Sequence, residues 1–319
     1  MKTRAYVLLL LTGCLLSCQN GQKFGHQELP YQKGPIRITG AYALLPMMNK
    51  WVSEYKKLHP SVDFEITATG SGKALNIIQG GRTDIGMISS AIPNGPDSLL
   101  WIFPVVKLGV VPVTSSQNPY LPKIKDKGIK RDFLESVFSG KSKPTWGDIF
   151  GTPGKDAIIP MVRSDSSGAT DVFAQYLWLE PSAMRGQACN GEPAMINAVK
   201  SNPLSLGYIN FIYAIKPSNL EFVDSLSIIP LDFNYNGAID GHEKIFNNAK
   251  ELQRAMWLGK FPCSLVRTLY VVTRGKPATK ELTEFLYWII TDGQKFVAPE
   301  GYIELHSSEV QYLVNAMSM

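Results

Sequence analysis

Two spacings of apolar residues organise the chain. IRIT at Ile36 to Thr39, FEITA at Phe64 to Ala68, DIGMIS at Asp84 to Ser89 and AIIPMV at Ala157 to Val162 are short apolar runs bounded by turn residues, which predict strands. IFPVVKLGVVPV (Ile102 to Val113) predicts one or two more, LGYIN (Leu206 to Asn210) another and TLYVVTRG (Thr268 to Gly275) a late one. Between them the spacing becomes helical. Met48, Trp51, Tyr55 and Leu58 recur on one face after Pro46, which suits a first helical turn, and Leu75, Ile77 and Ile78 mark a second helix. Strands alternating with helices predict an α/β architecture with largely parallel sheets.

The start of the chain reads differently. Lys2 and Arg4 precede an apolar stretch from Ala5 to Leu16, too short for a permanent membrane span, and then come Ser17 and Cys18. LLSC has the form of a lipobox, so residues 1–18 are expected to be a lipoprotein signal peptide with Cys18 lipidated. LTGC, ending at Cys14, also fits but leaves a shorter apolar core. The polar, glycine-containing residues 19–34 suit a tether. The expectation is an exported protein, periplasmic or at the cell surface, held to the membrane by a lipid anchor.

With 319 residues, 45% of them apolar and only 18% charged, the chain can build two globular lobes with substantial cores. The net charge of +5 shrinks once Lys2 and Arg4 are set aside. No long basic face remains, which argues against nucleic acid as a partner. The basic run KIKDKGIKR (Lys123 to Arg131) reads as solvated surface. Past the signal only Cys189 and Cys263 remain; neither has a CxxC partner or a neighbouring histidine, and whether they pair is left open.

Three predicted strand-to-helix junctions share one chemistry: GAYALLP, TGSGKAL and RSDSSGAT. Each places small residues where the unpaired N–H groups of a helix start point outward, an arrangement that attracts anions. The third adds Arg163 and Asp165, two residues apart and therefore on one side of an extended segment. There the aspartate can hold the guanidinium in place for a planar oxyanion. Enzymatic readings fail on the residues. DSSGA is not a nucleophile elbow, and His26, His59, His242 and His306 lie in no G-x-S-x-G setting. TGSGKA has Thr67 where a P-loop needs its first glycine and Ala74 where it needs Ser or Thr. The chain is expected not to be an enzyme.

Taken in order, ITGAYALLPMMNKWVSEY, ATGSGKALNIIQGGRTDIGMISS, LESVFSGKSKPTWGDIFG, RSDSSGATDVFAQYL, FPCSLVRTLYVVTRG and FLYWIITDGQKFVAPEGY resemble the PstS-like phosphate-binding proteins of ABC importers over nearly the whole mature chain. The resemblance implies a periplasmic-binding-protein-like fold, two α/β lobes joined by two hinge strands near Val110 to Val113 and Ser264 to Tyr270. Lobe 1 would take residues 35–111 and 269–319, and lobe 2 residues 112–268. It also implies a monomer that captures inorganic phosphate, or a related oxyanion, for an ABC permease in the inner membrane. The anion site carried over consists of the backbone at Ala43 and Leu44, Ser71, Ser89, and Arg163, Ser167, Gly168, Ala169 and Thr170. The family usually has a hydroxyl residue in the segment of Ala43 and Leu44 and another at Ala169, and some relatives carry a proton-accepting aspartate where Ser89 stands. Loss of such groups weakens binding and relaxes discrimination of phosphate from sulfate. The alternative is a lipid-tethered binding or sensing protein for another ligand, not coupled to transport.

A separate motif lies at residues 232–243, DFNYNGAIDGHE, which satisfies the pattern of an EF-hand loop. Asp232, Asn234 and Asn236 supply alternate oxygens, Ala238 a carbonyl, Asp240 a direct or water-borne ligand and Glu243 a bidentate carboxylate, with Gly237 at the sharp turn. The expected cofactor is structural Ca2+, and no organic cofactor is expected. The preceding SLSIIPL reads as a strand, so this would be half an EF-hand.

Overall fold

The computed structural model describes residues 30–31, 33–89, 99–152, 154–165, 167–217 and 219–318. The signal segment, Cys18 and most of the tether lie outside these residues, as does Ser166. Among the described residues no helix is long and apolar enough to cross a membrane.

Strand β1 (Ile36–Gly40) passes through a 3-10 turn at Tyr42–Leu44 into α1 (Leu45–Leu58), followed by β2 (Phe64–Ala68), α2 (Ser71–Gln79) and β3 (Ile85–Ile88). The region expected to hold one or two strands is a single long one, β4 (Leu100–Ser115). Two helices follow, α3 (Leu121–Lys127) and α4 (Arg131–Ser139), then β5 (Ile159–Arg163), α5 (Gly168–Tyr176), β6 (Gln187–Cys189), α6 (Glu192–Ser201) and β7 (Ser205–Asn210). A small hairpin of β8 (Ile215–Lys216) and β9 (Glu221–Phe222) leads to β10 (Leu226–Ile228) and α7 (Ala249–Trp257). The chain ends with β11 (Val266–Arg274), α8 (Lys280–Ile290) and α9 (Ser307–Ser318).

The main sheet runs β2-β1-β3-β11-β4-β7-β5-β6, with β10 also beside β4. Its two outer parts are parallel: β1 with β2 and β3, and β5 with β6 and β7. The centre is antiparallel, because β4 and β11 pair with each other directly and join the two parts. β4 changes partner along its length, pairing with β11 up to Gly109 and with β7 from Val110 to Val113. Pro104 within it sits at the register shift between Leu269 and Tyr270, where a missing N–H is tolerated.

Helix α1 buries Met47, Met48, Trp51, Val52 and Tyr55, the spacing expected of an amphipathic face, but Leu58 at its end is 63% exposed. The C-terminal α8 returns to this same part: Tyr55 packs edge-on to Phe285 at 5.0 Å and Trp288 at 5.4 Å. In the other part Tyr208 of β7 stacks on Phe173 of α5 at 4.5 Å. Gly40 is required where β1 ends. Its φ of +146° is open chiefly to glycine, and a Cβ there would meet the Met87 carbonyl at 2.1 Å. The Gly40 carbonyl accepts from the N–H groups of both Thr69 and Gly70, bringing the start of α2 beside the start of α1.

Candidate functional site

The three junctions of the sequence converge on one cleft between the two parts of the sheet. Ala41, Tyr42 and Ala43 line it after β1, Gly70 and Ser71 at the start of α2, Ser89 after β3, and Ser167 before α5. Ser71 is 1% exposed and its Oγ accepts from the Ser89 N–H at 3.0 Å and lies 3.2 Å from the Ser89 Oγ. Ser167 caps α5 by position, but its hydroxyl makes no capping bond and the residue lines the cleft. Space for only about one water remains inside, ≈ 10 Å³, so a tetrahedral anion requires the walls to part. A far roomier cavity, ≈ 520 Å³, lies beside Asp232, Gly237 and Lys130, but no comparable set of helix starts meets there.

Arg163 ends β5 with its side chain 4% exposed. Its Nε donates to Asp165 Oδ1 at 2.7 Å and its Nη2 to Asp165 Oδ2 at 2.6 Å, the same-side pairing expected of an extended segment. Its Nη1 donates to Glu192, which opens α6 and is fully buried. Three of the five guanidinium N–H groups are thus held, and one on each Nη stays available. Burial disfavours the Arg163 charge, but the two carboxylates more than offset it, so its pKa is raised. Burial alone would push Asp165 up; the Arg163 bonds and the Gly191 N–H at 2.9 Å bring its carboxyl below the usual range instead. Burial pushes the Glu192 carboxyl up, opposed by Arg163 and by the Asn210 backbone N–H, which donates to it at 2.7 Å.

Two cleft residues carry no sequence signal of their own. Asn210, at the end of β7, donates from Nδ2 to Glu192 at 3.1 Å and accepts at Oδ1 from Arg267 Nη2 at 2.6 Å. Arg267, at the start of β11, donates from Nε to the Ser89 carbonyl at 2.9 Å, while its Nη1 is buried without a hydrogen-bond partner. The resemblance placed a hinge at this strand but gave Arg267 no role.

A profile described as a PBP superfamily domain matches residues 26–293, most of the chain. The chain belongs to the PBP superfamily. This PBP chain is 29% identical to the phosphate-binding protein PstS of Methanocaldococcus jannaschii, with 89% of this chain and 86% of that protein covered. It is 26% identical to the PstS of Bacillus subtilis, with 97% of each covered. A solved structure from Clostridium perfringens with bound phosphate shares the fold at a TM-score of 0.69 and 22% identity, covering 86% of this chain and all of that one.

Within this PBP fold the sequence-derived anion residues divide in two. Ala43, Ser71, Ser89, Arg163 and Ser167 stand on the cleft wall. Leu44 turns into the core and its N–H is already donated to the Ala41 carbonyl. Gly168, Ala169 and Thr170 form the first turn of α5, whose N–H groups have no partner within the helix, while the side chains of Ala169 and Thr170 are buried behind the wall. The Thr170 hydroxyl meets Tyr208 at 2.9 Å.

The loop of residues 232–243 folds round itself. Gly237 donates to Asp232 Oδ2 at 2.9 Å, Asn236 to Asn234 Oδ1 at 2.9 Å and Ala238 to Asn236 Oδ1 at 2.9 Å. Glu243, 2% exposed, accepts from the N–H groups of Phe233 and Asn234, and it reaches back to the Asp240 N–H in a capping box. Asp240 accepts from the amides of Asn234 and Asn236. Asp232 is 2% exposed and its Oδ1 has no partner. Among the described residues no three Asp, Glu, His or Cys side chains already converge as a metal set. Cys189 is buried, Cys263 exposed, and both thiols are free.

Proposed function

We propose that this PBP chain is an extracytoplasmic substrate-binding protein that captures phosphate or a closely related oxyanion and delivers it to an ABC importer in the inner membrane. The observation that carries this reading is Arg163. It is held flat by Asp165 and Glu192, and it keeps two N–H groups free in a cleft walled by three helix starts. The ligands would be Arg163, the hydroxyls of Ser71, Ser89 and Ser167, the backbone at Ala43, and the first-turn N–H groups of Gly168, Ala169 and Thr170. The names of the M. jannaschii and B. subtilis relatives support phosphate over other oxyanions. Calorimetry of the purified protein with inorganic phosphate tests capture: binding lost in Arg163→Ala supports the site, and unchanged binding refutes it. Uptake of labelled phosphate by cells lacking the protein then separates transport from a sensing role.

The two parts of the sheet would act as lobes of a monomer closing about β4 and β11, with Cys18 as the lipid anchor of an exported protein. Replacing Cys18 by serine should release the protein from membranes; continued membrane association would refute the anchor.

For the loop of residues 232–243 we propose structural Ca2+. The support is Asp232 Oδ1, a carboxylate oxygen buried beside the turn without a hydrogen-bond donor, in a loop that holds Asp240 and Glu243 as well.

A further inference from the structure

We propose that Arg267 is a second guanidinium ligand of the bound anion, and that it makes the cleft a receptor for tetrahedral dianions in general, sulfate as well as hydrogen phosphate. The proposal rests on the anion-binding reading above and goes beyond it in naming the residue and the ligand class.

Arg267 is placed where both parts of the protein can hold it. Its Nε is fixed by a carbonyl that follows β3, and its Nη2 by a side chain at the end of β7. Both acceptors are neutral, so no carboxylate touches this guanidinium directly. Nη1 carries two N–H groups that find no acceptor, on a residue that lines the cleft. A buried donor without an acceptor is unfavourable, and an anion in the cleft would supply the missing acceptor. Burial lowers the Arg267 pKa to about 10, which leaves it charged at neutral pH.

The balance of charge points the same way. Arg163 is matched against two carboxylates, Asp165 and Glu192. Without Arg267 the wall would carry an excess negative charge and repel its ligand. With Arg267 it is neutral, and the donors left over belong to the two arginines.

The acceptors decide the ligand class. Every carboxylate oxygen on the wall is already engaged. Asp165 Oδ1 and Oδ2 take Arg163, Oδ1 also takes Gly191, and Glu192 takes Arg163 and both nitrogens of Asn210. At the position nearest Ser71 stands a hydroxyl, Ser89, which can donate as well as accept. Nothing on this wall requires the ligand to bring a proton, so an anion with four bare oxygens is not rejected.

The test is calorimetry and thermal melting of the purified protein with sulfate and with inorganic phosphate at neutral pH, for the natural chain, Arg267→Met and Arg267→Lys. The natural protein is expected to bind sulfate within about tenfold of phosphate. Arg267→Met is expected to weaken both anions by about tenfold or more and to abolish the anion-induced rise in Tm, with its anion-free Tm lowered by loss of the bonds to Ser89 and Asn210. Arg267→Lys, keeping the charge without the fork, should recover part of the affinity. Affinities within twofold of the natural protein in Arg267→Met would overturn the role of Arg267 while leaving anion capture intact. Tight phosphate binding with no detectable sulfate binding by the natural protein would overturn the ligand class. Failure of the natural protein to bind either anion overturns this proposal together with the reading it rests on. If Arg267→Met does not fold, Arg267→Lys decides: affinity unchanged for both anions refutes a bidentate role.

Discussion

The hydroxyls of Thr170 and Tyr208 lie 2.9 Å apart, so a threonine at a helix start, placed by its motif to face an anion, has its side chain turned toward the sheet instead. The same tyrosine hydroxyl accepts from the Arg163 backbone N–H at 3.1 Å. Thr170 therefore braces the strand that presents the arginine. Replacing it with valine should cost about 1 kcal/mol of stability, the usual worth of a buried hydrogen bond. Phosphate affinity should change less than about threefold, because the Thr170 N–H is retained. Urea unfolding and calorimetry on the same variant read both; a loss of binding without loss of stability would contradict this assignment.

Ala43 and Ala169 both stand where a hydroxyl residue was expected, but only Ala43 is on the cleft wall. Ala43→Ser should therefore tighten phosphate binding, by up to about tenfold for one added charge-assisted bond. Ala169, 1% exposed behind the wall, should respond much less to the same change. Equal gains from the two variants in calorimetry would show that the cleft rearranges on closing.

Ser89→Asp would place a carboxylate beside the Ser71 hydroxyl, which can donate to it. Sulfate binding should fall by about tenfold or more while phosphate, which can bring a proton, is retained. Competition between the two anions measures the ratio.

The Arg163–Asp165 pair sets a dependence on acid. The folded-state pKa of Asp165 is depressed below 3.8, so its contribution to stability is complete above that value and is lost as pH falls through the lower folded value. In Asp165→Asn this part of the acid-induced fall in Tm should be missing. Parallel melting curves for the two proteins below pH 4 would count against the linkage.

Added Ca2+ should raise Tm, and a chelator should reverse the rise, if the loop at residues 232–243 holds the ion. Asp232→Asn, which leaves the Gly237 turn an acceptor, should remove the response. A native mass spectrum without calcium, together with an unmoved Tm, would dismiss the site.

Much of the architecture was legible locally. The strand and helix spacings, the small residues at three junctions and the Arg163 to Asp165 separation are short-range patterns, and short-range geometry follows from them. β4 shows where that ends. Ile102 to Val113 reads as one or two strands, yet pairing with β11 on one stretch and β7 on the next holds one continuous strand. Likewise Thr170 and Leu44 sit in the right motifs, but which way each side chain turns was decided by Tyr208 and by the core.

By itself, then, the sequence determined the α/β order, the shared chemistry of three helix starts and the paired arginine, because each is encoded within a few residues of itself. Only the tertiary structure brought Glu192, Asn210 and Arg267 to Arg163 and Ser89, through contacts between segments far apart in the chain. Charge balance is a property of that assembled neighbourhood and not of any stretch of chain. That is why the arginine whose Nη1 lacks an acceptor became visible only once β11 was laid between β3 and β4.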